Sequence, residues 1–264
     1  MQPELQSLES LFQSTTPENL HRALQSVRNE ISAHGTESNE STRPLFELIT
    51  SLFYIDPLDR PDLAPVLDEA ISLVIGFGDW VIPALIYKLD QGDIKAQMAS
   101  AEALGRIGVD AIDPLCAKYH AFRDPDNRAF VLYGLGKIKS PQVVRAAHLA
   151  LAGARSSNLE LRDTGTRTIG RFAEAIPAGE IPAETLDAYF ATLRKNLGDT
   201  NKGVKAKAVR SLGKLAKFGH LSLDQKHTMF GIALNLLGED DEFHWDRNFV
   251  VRKEAREAIV HFES

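Results

Sequence analysis

The chain has a single cysteine, Cys116, in 264 residues. That excludes an internal disulfide and suits a reducing compartment. It has no apolar run near the ~20 residues that span a bilayer. Its first ten residues, MQPELQSLES, lack both the basic and the apolar region of a signal peptide. The expected setting is therefore the cytoplasm, with no membrane contact. Catalytic signatures are absent too. There is no H-E-x-x-H, no G-x-S-x-G and no His-Glu dipeptide, and the histidines show no ligand spacing. "GFGDWV" and "GLGKIK" lack the third glycine and the preceding strand of a nucleotide loop. No catalytic residue, metal site or cofactor is expected, and the balance falls against an enzyme. Cys116 reads as a buried structural thiol.

What is present is ordinary in bulk and uneven in distribution. Apolar residues make up 44% and charged residues 25%, the profile of a globular chain. The net charge of −6 hides a basic middle. Residues 1–70 carry 12 acids and 4 bases, residues 128–217 carry 7 acids and 16 bases, and the remainder from 218 carries 9 acids and 5 bases. A basic centre in an acidic chain points to an acidic partner.

A short motif recurs. "LGRI" at 104–107 is echoed by "LGKI" at 135–138, "IGRF" at 169–172 and "LGKL" at 212–215. A faint copy surrounds Gly76, and a degenerate one, "AIVHF", puts Val260 in the glycine slot. Eight residues before the slot stand Gln97, Arg128, Arg162, Lys205 and Arg252, each preceded by a polar turn. Ahead of each turn lies another amphipathic segment, so each unit reads as helix A, turn, helix B. That is the pattern of a helical-hairpin solenoid. On helix B, positions −8, −4, −1 and +2 from the glycine form the apolar face, as with Leu132, Leu135 and Ile138. Glycine inside a helix costs about 1 kcal/mol against alanine. Its recurrence predicts a close approach, expected here from helix A of the same unit.

This pattern resembles HEAT repeats, and within them the short HEAT-like repeats of bilin-lyase-like (PBS lyase) proteins. The resemblance covers residues 70–262. It implies an all-α fold, a right-handed α-solenoid. It also implies a ladder between units in which Asp93, Asp124 and Asp199 pair with the row at Gln97, Arg128, Arg162, Lys205 and Arg252, with a weak rung at Gln97. Residues 1–69 lack the motif but read as helical, with Thr16-Pro17-Glu18 as a helix start. They are taken as an N-terminal cap of degenerate hairpins, with 70–264 as repeats continuous with it in one solenoid.

Opposite the core of helix B lies a stripe at −10, −6, −3 and +1. Its +1 row is Arg106, Lys137, Arg171 and Lys214, and it gathers Arg167, Lys207 and Arg210 with the aromatics Phe130 and Tyr133. Fewer acids fall on it: Glu102, Asp126 and Glu160. The expectation is a non-enzymatic interaction scaffold that binds an acidic protein or peptide on a concave basic and aromatic helix-B face. Lysine and arginine at +1 also offset the dipole at a helix end, so that row has a purely structural explanation as well. The alternative that the resemblance brings is a bilin-lyase-like subunit or a cofactor-delivery chaperone. Nucleic acid is disfavoured by the overall acidity. Phe243 and Trp245, in the acidic loop 239–246, form a candidate partner anchor. That loop lacks the order of an EF-hand, so a solvated acidic loop is expected rather than a cation site.

Overall fold

Five polar residues start the B helices. Asp93, Asp124, Asn158, Asn201 and Asn248 each accept a hydrogen bond from a backbone N–H in the first turn that follows. All five stand twelve residues before the glycine slot. The polar turns of the motif are thus helix caps, which satisfy amides that would otherwise be orphaned. The computed structural model describes residues 8–35, 37, 42–241 and 245–263. Among these, the regular secondary structure is α- and 3-10 helix.

The helices are α1 (Pro17–His34), α2 (Thr42–Ser51), α3 (Ala64–Ile75), α4 (Val81–Gln91), α5 (Ile94–Ile107), α6 (Ile112–Ala121), α7 (Pro125–Leu135), α8 (Ala147–Ala154), α9 (Leu159–Ala175), α10 (Ala183–Asn196), α11 (Lys202–Lys217), α12 (Leu223–Leu237) and α13 (Phe249–Ile259). The chain divides into two compact units, Met1–Pro114 and Leu115–Ser264. The expected boundary at 69/70 lies inside the first of them.

In the first unit α1 starts where Thr16-Pro17 predicts, with proline in its first turn, although the Thr16 side chain makes no capping bond. Leu20, Leu24 and Val27 are buried. α4 and α5 form a hairpin, and α5 stacks on α3. Phe77 meets Phe46 and Trp80 edge-on.

In the second unit α7, α9, α11 and α13 are the B helices, each packed on the next, while α8, α10 and α12 supply A helices. Leu132, Leu135 and Ile138 are buried, as their spacing predicts. The glycines correct the expectation about helix A. A β-carbon on Gly170 would lie 2.5 Å from Ser211 Oγ and 2.9 Å from its Cα. One on Gly213 would lie 2.7 Å from Ala258 Cβ, and one on Gly136 would lie 3.3 Å from Thr168 Oγ1. Thr168, Ser211 and Ala258 each stand two residues before the slot of the following repeat. The motif glycine therefore admits helix B of the next repeat, not helix A of its own. Contact within a hairpin uses another pair: a β-carbon on Gly165 of α9 would lie 2.9 Å from Gly153 Cα of α8.

Buried hydrogen bonds hold the same layer. Thr168 donates to the Leu132 carbonyl (3.1 Å), Ser211 to that of Thr166 (2.8 Å) and Asn196 to that of Ala154 (3.1 Å). Burial pushes the Tyr189 phenol well above its ordinary pKa, and its hydroxyl donates to the Ala147 carbonyl at 2.8 Å.

Candidate functional site

The row eight residues before the slot works mainly on backbone. Gln97 donates to the Leu89 carbonyl, Arg128 to that of Phe122, Arg162 to those of Ser156 and Ser157, and Arg252 to that of Asp246. These bonds satisfy carbonyls at the end of helix A and in the turn. The ladder that the resemblance implies appears at Arg162–Asp199 (2.7 Å), and a further rung joins Lys205 to Asp246. Asp93 and Asp124 serve as caps, accepting from the Lys95 and Asp126 amides. At the turn before α9 the acid is replaced, and Asn158 donates to Asp126 across the repeats. Desolvation raises the pKa of Asp199, but the Arg162 guanidinium and the Asn201 amide outweigh it and hold the carboxyl below its usual range. Asp246 is held low in the same way by Lys205 and the Asn248 amide.

Most cations of the expected stripe have partners. Arg106 pairs with Asp68 of α3 and with Glu102 one turn back. Lys214 pairs with Glu174 of α9, and Lys207 with Asp163 of α9. Arg210 grips Glu254 of α13 through both carboxylate oxygens, with Nε to Oε2 at 2.7 Å, and Glu254 is only 2% exposed. Arg171 donates to the Gly136 carbonyl at 3.2 Å. Tyr133 is half-buried between two cations, with Lys137 Nζ 5.1 Å and Arg171 Cζ 5.8 Å from its ring centre. Such cation–π contacts hold both cations over the ring. Phe130, also half-buried, lies one turn before Tyr133 on α7. Arg167 differs from the rest. Among the described residues it has no hydrogen bond, ion pair or ring contact, and it is half-buried.

The second-unit part of this stripe lines a groove. One cavity of about 550 Å³ lies beside Lys137, Lys139, Arg171, Glu174 and Lys214. A smaller one of about 90 Å³ shares Arg171 and Lys214 with it and is also lined by Arg167, Lys207, Arg210 and Ser211. A third of about 220 Å³ shares Arg210 and Lys214 with the second and lies beside Lys217, Glu254, Glu257 and His261. A separate groove of about 650 Å³ lies at the turns, lined by residues that include Arg155, Arg162, Thr192 and Asp199. Its arginines are engaged with Thr192 and Asp199.

Helical spacing identifies the cations but misses the acids that answer them. Asp163 and Glu174 lie off the predicted stripe. Glu254 lies on it at −6, but in the degenerate last copy. Each acid meets its cation from a neighbouring repeat, some 40 residues away in sequence. Of the anchor loop, Phe243 falls outside the described residues. Trp245 is 61% exposed and lies under the Arg252 guanidinium, 4.4 Å from its ring centre. Of the loop acids, Glu239 pairs with Arg256, Asp240 accepts from Asn235, and Asp246 pairs with Lys205 of α11. Among the described residues no group of three or more metal-ligating side chains comes together. Cys116 is half-buried rather than buried. No helix among the described residues is long and apolar enough to cross a membrane.

Comparison with known proteins places the architecture. Residues 96–119 match the PBS lyase HEAT-like repeat family. No curated protein matches the sequence. Among solved structures, the archaeal HEAT-like repeats protein from Thermococcus onnurineus NA1 aligns over 98% of this chain and 97% of its own, with a TM-score of 0.53 and 15% identity. An engineered protein aligns over 98% of this chain and 68% of its own, with a TM-score of 0.51 and 19% identity. At these identities the likeness speaks of fold. The fold is an all-α solenoid of stacked helical hairpins, and residues 96–119 are similar to the PBS lyase HEAT-like repeat.

Proposed function

We propose that the chain is a non-enzymatic interaction scaffold that takes an acidic protein or peptide partner on its B-helix face. The observation that carries this reading is the groove between Lys137 and Lys217, where cations from α9 and α11 crowd into one strip. Repeat folds offer extended surfaces of this kind to partners. Phe130 and Tyr133 at one end supply aromatic area of the type that dominates interface energetics.

A decaglutamate peptide, titrated against the full chain at low and moderate salt, tests the reading. Binding is expected to weaken with salt and to be lost in a K137E/R167E variant that melts like the wild type. A peptide that fails to bind at low salt, or that stays bound after the reversal, rejects the face. Arg210 is unsuited to this test, because reversing it would set two carboxylates against each other at a buried position.

The match at 96–119 favours a second reading, a bilin-lyase-like subunit or cofactor-delivery chaperone. Mixing the protein with bilin should then shift the absorption spectrum, and an unchanged spectrum rejects it.

A further inference from the structure

The narrow middle of the groove has a composition that its two ends lack. Both ends contain acids, Glu174 on one side and Glu254 with Glu257 on the other. The middle is lined by five cations and Ser211, with no acid. Ser211 brings no spare donor, since its hydroxyl proton is committed to the Thr166 carbonyl. Three of the cations are held from outside the cavity, Lys207 by Asp163, Arg210 by Glu254 and Lys214 by Glu174. These pairs fix the ammonium and guanidinium positions but leave the charge in the middle unanswered at Arg167. An unpaired, half-buried guanidinium beside four other cations is electrostatically costly in the empty protein. An anion seated there would relieve that cost.

The shape of the surroundings narrows the anion. A row of charges, on a nucleic-acid backbone or an acidic peptide, gains at the middle but also meets Glu174 at one end and Glu254 and Glu257 at the other, so it is held less tightly than one concentrated charge. A single concentrated charge flanked by neutral residues meets neither. A carboxylate carries one negative charge, whereas a phosphoryl monoester carries close to two, with oxygens suited to the paired N–H groups of arginine. Cavities of about 550 Å³ and 220 Å³ share lining residues with the middle one, which leaves room for the peptide chain that would carry the charged side chain.

We infer that the cavity around Arg167 is a receptor for a phosphorylated serine or threonine of the partner. The inference rests on the scaffold reading and specifies the partner's decisive group.

Three capped pentapeptides, Gly-Gly-X-Gly-Gly with X as phosphoserine, glutamate or serine, are titrated calorimetrically against the full chain. The phosphopeptide is expected to bind at least tenfold more tightly than the glutamate peptide, with no heat from the serine peptide. R167A should reduce phosphopeptide affinity at least tenfold with no loss of melting temperature. R167K should restore part of it, and K195A, in the turn groove, should change nothing. Equal affinity for phosphoserine and glutamate overturns the inference, as does a silent R167A. Inorganic phosphate binding as tightly as the phosphopeptide overturns it in favour of a small-ion site. A twelve-nucleotide oligothymidylate that outcompetes the phosphopeptide overturns it in favour of a nucleic-acid backbone. Salt-sensitive decaglutamate binding without phosphoserine preference removes this inference alone. Loss of decaglutamate binding at low salt removes the scaffold reading with it.

Discussion

Ser211 fills the place where Gly170 would carry a side chain: a β-carbon on Gly170 would stand 2.5 Å from Ser211 Oγ. Ser211 is held there by its own bond to the Thr166 carbonyl. Gly170 and Ser211 lie on neighbouring B helices, so the motif glycine is a seat for the next repeat.

This seat gives a pair of mutations of opposite sign. Gly170→Ala must push against Ser211 backbone as well as side chain, and is expected to cost about 2–3 kcal/mol through overpacking. That exceeds the roughly 1 kcal/mol that alanine gains by helix propensity. Gly231, mid-helix in α12, has nothing within 4 Å of its would-be β-carbon. Gly231→Ala is expected to stabilise by about 0.5–1 kcal/mol. Urea denaturation of the two variants checks both, and equal effects would remove the seat from the account.

Arg210 and Arg167 line the same cavity from neighbouring helices, α11 and α9, and should respond differently. Arg210→Ala leaves the buried Glu254 carboxylate without its bidentate partner, which is expected to cost about 2–3 kcal/mol, part of the exposed guanidinium's worth being screened. Adding Glu254→Gln should return about half of that. Arg167→Ala breaks no pair among the described residues and relieves the repulsion, so it should leave stability unchanged or raise it by up to about 1 kcal/mol. Thermal melts of the three variants suffice, and an R167A loss as large as that of R210A would contradict the pairing.

Acid stability follows from the ladder. Asp199 and Asp246 are held below their ordinary pKa by Arg162 and Lys205, against the opposing effect of burial. The folded protein therefore binds these protons less readily than the unfolded chain. The stabilisation is fully present above the unfolded value of about 4, and it is lost as pH falls through the lowered folded values. Asp199→Asn should make the fall in stability below pH ~4 shallower, and at neutral pH it should cost about 1–2 kcal/mol for the charged hydrogen bonds. A wild-type slope in D199N would show that the rung is idle.

The caps are testable one at a time. Asn201 accepts from the amides of both Gly203 and Val204. Asn201→Ala is expected to cost about 1 kcal/mol, and Asn201→Asp should retain most of the stability. A neutral N201A in chemical denaturation would show that water satisfies those amides equally well.

The sequence made the hairpins readable because their evidence is periodic. Gly105, Gly136, Gly170 and Gly213 mark the ends of B helices, and Leu132, Leu135 and Ile138 mark the buried side. It could not say which helix faces the glycine. A helical wheel gives the direction of a side chain, not the neighbour standing there. The ion pairs were hidden for the same reason. Lys207 and Arg210 read as one exposed row, while Asp163 and Glu254 come from opposite neighbours. Arg167 looked like the others in sequence and is set apart only by a missing partner in space.

The seat also acts on position. Sliding α11 along α9 by one turn would bring Lys207 or Leu215 to Gly170 in place of Ser211, and neither side chain fits a space too small for one methyl group. For the two helices the seat therefore favours the register in which Ser211 faces Gly170. Arg167 on one and Lys207, Arg210 and Lys214 on the other are consequently spaced by backbone rather than by flexible side chains. A ligand reading that row meets a fixed ruler, and a change as small as a methyl group at Gly170 would move its marks without touching a single charge.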